Sequence, residues 1–399
     1  MLPSAYGRET AMSVRKREWK TAKGEARVAW TADYFDQAGK RHQMRFKTKK
    51  LAEAFLVEAK HEVSRGIHTP ASTSLTVAQA ASAWIEELER GDEHHAPLER
   101  STLREYRRHL DQHILPFTGK TKIAELTPGT IAALRAEMHK KGCSLNLTGR
   151  VVSSLGGLLS AAVVAGTASR NIVHEINMRK KKRGSTRHEK HLEVGTDIPT
   201  KDEIHAMLTA AQGQAHALLV TAIFTGLRAS ELRGLRWADV DLDNKVLEVR
   251  QRADRWNQIG SPKSSASRRE VPFGQMVVNA LRQQRDDLAA QHLPSIGSGY
   301  VFPNGNGKVM ALGSIHYRIL GPLQQAAGVS ADSRPKYSMH SFRHVAASLF
   351  IEQGLGPKRV QALMGHSTIQ MTYDTYGHLF PSKTDDQAAM QQIESRLLG

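Results

Sequence analysis

Three short stretches of this 399-residue chain gather side chains suited to chemistry at an anionic centre. In TGLRASEL, Gly226 is followed by Arg228 and, about one helical turn later, by Glu231. An arginine just past a glycine, at the start of a helix, is placed to hold an oxyanion. Glu231 could steady it, although a plain surface Arg–Glu pair would look the same. In HSFRH, His340 and Arg343 are three apart and would share one helix face. One offers a proton-transferring imidazole, the other a bidentate fork for phosphate oxygens. His344 then points elsewhere and reads as structural. In LMGHSTIQMTYDTYGHLFP, Gly365 frees a turn before His366, and two phenols follow at Tyr373 and Tyr376. A phenol with a pKa near ~10 attacks poorly at neutral pH unless its proton is removed and the charge on its target is masked. Tyrosines three apart on a helix are more often packing. Spacing alone does not choose between them.

The chain has the charge for an anionic partner. Lys plus Arg number 56 against 39 Asp plus Glu, a formal +17, and a chain this basic calls first for nucleic acid. The bland alternative is a merely basic protein. A single cysteine, Cys143, excludes an intramolecular disulfide framework and a Cys-rich zinc site. Nineteen histidines include no HExxH, and no GxxxxGK[ST] loop is present, so neither metal nor cofactor is expected. The first twenty residues lack the apolar core of a signal peptide, and no 18-residue apolar run is evident. The expectation is a cytoplasmic, DNA-associated protein with no membrane partner.

The elements that must position these groups can be read in outline. RVAWTADYF and RHQMRF alternate in polarity around DQAGK and predict a hairpin. Leu51, Phe55, Ala59 and Val63 then recur at helical spacing behind Thr48. Residues 75–175 predict helices only. One carries Val77, Ala80, Ala81, Trp84 and Leu88, and a second Leu103, Tyr106, Leu110 and Ile114, stopped by Pro116. A third begins at Thr127-Pro128, and a fourth carries Val151, Leu155, Leu158, Leu159 and Ala162. The basic stretch MRKKKRGSTRHEKHLEVG reads as a linker. Beyond it, Thr200 and Glu203 form a capping box, AHALLVTAIFTG a buried helix, and KVLEVRQ and RREVPF strands with VFP as a further short one. The fold class is therefore multidomain. A small β-sheet plus helix forms an N-terminal module over 1–70, followed by an all-α domain over 71–176 and a basic linker over 177–197. A mainly α (α+β) domain with a small antiparallel sheet fills 198–399.

Taken together and in this order, TGLRASEL, HSFRH and GHSTIQMTYDTYGHL resemble the three signature boxes of the tyrosine recombinase, or phage integrase, family. Each box alone is weak. The resemblance implies that Arg228 and Arg343 clamp a phosphate, that His340 and His366 are the paired histidines, and that Glu231 is the acidic member after the first arginine. It also implies a lysine in a loop between two strands, which Lys263 matches, although Pro-Lys-Ser stands where many relatives have Thr-Lys-Thr. Ser341 and Phe342 replace the common Asp and Leu. In the family the nucleophile lies nine or ten residues after the third-box histidine and just before a GHL-like tail, which selects Tyr376 over Tyr373.

What the resemblance implies about activity is a site-specific DNA recombinase, or integrase, acting through a 3′-phosphotyrosyl intermediate without metal or ATP. His340 would be the general base, His366 a hydrogen-bond donor to phosphate, and Lys263 the general acid. It would integrate or excise a phage or genomic island. The helical domain would be a SAM-like core-binding domain and the N-terminal module an arm-type DNA-binding one. Its partners would be double-stranded DNA at core and arm-type sites and three further copies in a homotetramer, with a DNA-bending factor and an excisionase left open. The tail carrying Ala389, Ile393 and Leu397 docks either on its own domain or on a neighbour. Two rivals stay open: type IB topoisomerase-like strand relaxation, and a catalytically inactive DNA-binding regulator.

Overall fold

The computed structural model describes residues 12–20, 26–36, 39–64, 74–91, 93, 96–176, 192–262 and 265–379. Most of the basic linker, Lys263 and the C-terminal tail with Ala389, Ile393 and Leu397 lie outside the described residues. The chain divides into two compact units, Met1–Thr186 and Arg187–Gly399.

The first unit begins with an antiparallel sheet in the order β1 (Ser13–Lys20), β2 (Ala26–Phe35), β3 (Arg41–Phe46). Ser13 pairs with Asp33, and Trp30 with Phe46, so the expected hairpin supplies the central and one edge strand of a three-stranded sheet. Helix α1 (Lys49–Ser64) packs on β2 through Ala52, Phe55 and Ala59, with Tyr34 edge-on to Phe55. Leu51, expected on the packed face, is 54% exposed instead. Two small alanines let the helix approach the sheet: Ala59 lies on the expected stripe, and Ala52 takes the place of Leu51.

Next come α2 (Val77–Arg90), α3 (Arg100–His109), α4 (Pro128–Lys140) and α5 (Leu145–Val164). Capping boxes at Thr76/Gln79 and Thr127/Thr130 open α2 and α4. Trp84, Ile114, Leu134, Val151, Leu155 and Leu158 fill the core between them. Pro116 does not stop the second helical stretch, contrary to the sequence reading. The path widens into a π turn over Leu110–Ile114 and continues through Leu115–Thr118. A π turn loosens the contact between the proline ring and the preceding carbonyls, so the missing N–H does not break the helix. Helix α5 is long and apolar enough, by length and composition alone, to cross a membrane, which the sequence reading had not recognised. Here its apolar face, from Val151 to Ala162, forms the centre of the helical core.

The second unit begins with α6 (Lys201–Ala210), capped reciprocally by Thr200 and Glu203, and α7 (Gly213–Thr225), which is buried over Ala217–Ile223. The short α8 (Ala229–Gly234) follows. Strands β4 (Val240–Asp241), β5 (Val246–Val249) and β8 (Arg269–Pro272) form one antiparallel sheet in which Val246 faces Pro272. A two-stranded hairpin, β6 (Arg252–Ala253) and β7 (Ile259–Gly260), projects between β5 and β8. The VFP segment forms only isolated bridges, Arg236 to Tyr300 and Pro303 to Val309, and not a strand. Helix α9 (Gln275–Ala290) packs on α7. After an irregular helical stretch over 312–326, helices α10 (Met339–Glu352), α11 (Pro357–Met364) and α12 (Ile369–Tyr376) complete the unit.

Leu155 is fully buried at the centre of the helical core. Leu155→Ala should therefore cost about 3 kcal/mol of unfolding free energy, measured by urea denaturation. A loss below about 1 kcal/mol would contradict this packing.

Candidate active site

The three sequence stretches meet at the end of α11. Its last carbonyls have no intrahelical partner, and arginines from three separate elements donate to them. Arg269 on β8 donates from Nε to the carbonyl of Leu363 at 2.6 Å, and Arg343 on α10 donates from Nη2 to that of Met364. Arg228, the N-cap of α8, donates from Nη2 to that of Gly365 at 2.6 Å. Positive charge at the C-terminal end of a helix is favourable by itself. Here it also fixes the aim of three long side chains.

Two glycines make this approach possible. Gly226 ends α7 at φ 64° and Gly365 ends α11 at φ 62°, both left-handed turns that favour glycine. A Cβ on Gly365 would come within 2.7 Å of Nη1 of Arg269, and one on Gly226 within 2.9 Å of Sδ of Met364. The carbonyl of Gly226 accepts from Nη1 of Arg343 at 2.6 Å, so the first turn orients the second arginine.

Glu231 is the counterion, and it lies buried. Its Oε1 accepts from Nη1 of Arg228 at 2.7 Å and its Oε2 from Nη2 of Arg269 at 2.9 Å. Oε2 also accepts the backbone N–H of Arg228 at 2.9 Å, closing a capping box around the turn. Burial raises the pKa of the carboxyl, but the charges of Arg269, Arg228 and Arg343 together outweigh that and hold it below the usual range. Arg269 was missed in the sequence reading. The signal was present: on β8 it shares a face with buried Val271, and an arginine on the inner face of a strand needs a buried anion.

Arg343 is almost wholly buried. Desolvation first, then the charge of Arg228, lowers its pKa to about 9, which still leaves it charged at neutral pH. The side chain of Arg228 keeps 31% of its surface open and lies at the mouth of the cluster.

Tyr376 lies at the end of α12 and is buried, whereas Tyr373, one turn earlier, is 48% exposed. Burial pushes the phenol's pKa up, and the positive charge of Arg343 opposes that rise. Its hydroxyl meets Nδ1 of His344 at 2.6 Å. This corrects the reading of His344 as pointing elsewhere. His340 and His344 are four apart on α10, a spacing that shares a face as well as three does, and their rings meet edge-on at 4.5 Å.

His366, in the turn before α12, bonds Thr372 through Nδ1 at 2.9 Å and stacks parallel to the Tyr376 ring at 6.4 Å. Burial and then Arg343, Arg228 and Arg269 depress its pKa to about 3. His340 has an exposed edge, yet partial desolvation and then Arg343 and Arg228 lower its pKa too. Five of the sequence candidates, Arg228, His340, Arg343, His366 and Tyr376, thus lie in one cluster supported by Glu231. Lys263 lies outside the described residues, in the segment joining β7 to β8. Among the described residues no cluster of His, Cys, Asp and Glu is arranged to hold a metal.

Residues 199–383 match the model of the Phage integrase family. The prophage integrase IntR of Escherichia coli strain K12 is 27% identical over 266 residues, which cover 63% of this chain and 62% of that protein. The chain therefore matches less than two thirds of IntR. An integrase of Streptomyces ambofaciens is 28% identical over 88% of this chain and 90% of its own length. Among solved structures, the fold is similar to the Tn1549 transposon integrase in complex with transposon right end DNA. The TM-score is 0.62 at 22% identity, covering 82% of this chain and 100% of that one. It is also similar to a lambda integrase tetramer bound to a Holliday junction, at TM-score 0.56 and 19% identity over 91% and 94% of the two chains.

Two outcomes test the electrostatics. Glu231→Ala leaves Arg228 and Arg269 crowded without their shared anion and should cost about 3–5 kcal/mol. A loss under about 1 kcal/mol in chemical denaturation would contradict the buried pairing. The folded imidazole of His366 resists protonation, so acid favours the unfolded chain, which protonates first. Its contribution is whole above about pH 6.5 and is lost as pH falls from there toward about 3. The stability advantage of wild type over His366→Gln should shrink by about 2 kcal/mol between pH 7 and pH 5. A constant difference would refute the assignment.

Proposed function

Because residues 199–383 belong to the phage integrase family of tyrosine recombinases, we propose that this protein is a site-specific DNA recombinase that cuts and rejoins DNA through a 3′-phosphotyrosyl intermediate at Tyr376. The observation that carries the proposal is the arrival of Arg228 and Arg343 at consecutive carbonyls of one turn, beside a buried tyrosine hydroxyl. Two guanidinium groups held this way can grip the non-bridging oxygens of one phosphodiester and stabilise the charge that grows there as a fifth ligand adds to phosphorus. They are already oriented before substrate arrives, so little reorganisation is left for the reaction itself. Removing one such preorganised donor costs about 2.7–4 kcal/mol in comparable oxyanion sites.

In the proposed step the Tyr376 oxygen attacks phosphorus and loses its proton. The bond from phosphorus to the 5′-oxygen breaks, and Lys263 protonates that oxygen as it leaves. His366, neutral and buried beside the phenol, donates a hydrogen bond to the phosphate, and His340 lies at the rim of the same cluster. The phosphotyrosine keeps the energy of the broken linkage, so another strand's 5′-hydroxyl can reverse the step without ATP.

The N-terminal sheet supports a second DNA contact. β1 exposes Arg15, Lys16, Arg17 and Lys20, and Arg45 of β3 lies 5.8 Å over the ring of Trp19. A strand so charged suits phosphate backbone, and we assign it to arm-type sites, with the helical domain on the core site. The Tn1549 integrase complex with transposon right end DNA and the lambda integrase tetramer on a Holliday junction favour the same mode of action here, four copies exchanging strands between two sites. The element moved would be a phage or genomic island.

A nicked duplex carrying the attachment core, which loses a short fragment on cleavage and so traps the intermediate, tests the proposal. Wild type and Tyr373→Phe should form a covalent protein–DNA adduct and Tyr376→Phe none. An adduct that survives Tyr376→Phe would overturn the assignment, and, on a supercoiled plasmid carrying paired sites, relaxed circles with no joined products would favour a topoisomerase.

A further inference from the structure

We propose that His344 is the group that takes the phenolic proton of Tyr376 as its oxygen attacks, and returns it when the strand is rejoined. The inference rests on the recombinase reading above and gives His344 the role of base that the resemblance implies for His340, because His344 and not His340 is hydrogen-bonded to the Tyr376 hydroxyl. A general base is recognised first by geometry, within hydrogen-bond reach of the proton it removes. Nδ1 of His344 lies 2.6 Å from the Tyr376 oxygen. For the phenol to donate its O–H, Nδ1 must present its lone pair and the ring proton must sit on Nε2.

The other two histidines are engaged differently. Nδ1 of His366 is bonded to Thr372, and its ring lies parallel to the phenol at a centroid distance of 6.4 Å. His340 meets the ring of His344 edge-on at 4.5 Å. The charged and titratable groups around the hydroxyl are His340, Arg343 and His344 of α10 and His366 in the turn before α12. Because burial makes this phenol harder to ionise than a free one, a base already in contact with it has more to contribute than solvent does.

The step balances without any further reagent. The O–H bond of Tyr376 breaks and an N–H bond forms at Nδ1 of His344, while the oxygen–phosphorus bond forms. The bond to the 5′-oxygen breaks, and that oxygen takes its proton from the acid proposed above. In rejoining, a 5′-hydroxyl attacks phosphorus, and the imidazolium of His344 gives its proton back to the departing phenol oxygen. One residue serves as base in cutting and acid in joining, as reversibility demands.

The test is single-turnover adduct formation by the full chain on the nicked attachment-core duplex at saturating DNA, across a range of pH. His344→Asn places an amide oxygen where Nδ1 stood and can still accept the hydrogen bond, but it cannot take the proton. It should slow adduct formation about 100-fold or more and remove the acidic limb of the wild-type pH profile. DNA binding and the melting temperature should stay unchanged. His344→Gln, read the same way, covers the case in which the asparagine variant does not fold. Adduct formation at the wild-type rate with the wild-type profile in a folded variant would overturn the inference. A merely orienting role predicts that His344→Asn reacts normally, and that outcome also overturns it. If wild type makes no adduct, or Tyr376→Phe still makes one, it is the recombinase reading that fails.

Discussion

The cluster depends on one small structural fact: a helix that ends with its carbonyls unpaired. Helix α11 leaves the oxygens of Leu363, Met364 and Gly365 pointing past its last turn, and arginines from β8, α10 and the start of α8 each take one. These elements lie up to about 140 residues apart in the chain. The helix end converts that separation into one cationic surface with side chains already aimed. The two left-handed glycines make the arrangement sterically open, and neither site has room for a Cβ.

Three guanidinium groups in a poorly hydrated site repel one another, and a single buried carboxylate holds them together. Glu231 reaches Arg228 and Arg269 directly, while Arg343 is satisfied by the carbonyls of Gly226 and Met364. The cluster keeps a surplus of positive charge, which adds to burial in depressing the pKa values of both His366 and His340. An anion entering the site would relieve that surplus. In the proposed reaction the scissile phosphate would be that anion, and binding energy and charge stabilisation would come from the same groups.

Much of this was legible in the sequence because it depends on local rules. The capping box at Thr200, the helix start at Thr127-Pro128, the buried run of α7, the paired strands around Leu247 and Val271 and the glycine-ended helices follow from spacing and residue type. What escaped depends on contacts between distant segments. Arg269 is one basic residue among many in the sequence, and only the fold brings Glu231 beside it. His344 was set aside although its i+4 relation to His340 puts both on one face. Pro116 reads as a stop because a π turn leaves no periodic mark, and the packing of α1 through Ala52 shows a close helix–sheet approach favouring small residues over Leu51.

The most direct measurement is a crystal structure of the Tyr376→Phe protein with an intact attachment-core duplex, read at the scissile phosphate. Both Arg228 and Arg343 should lie within about 3 Å of its non-bridging oxygens, with the substituted ring at position 376 facing phosphorus opposite the 5′-oxygen. A phosphate held by only one of the two arginines, or one facing Tyr373, would contradict the account.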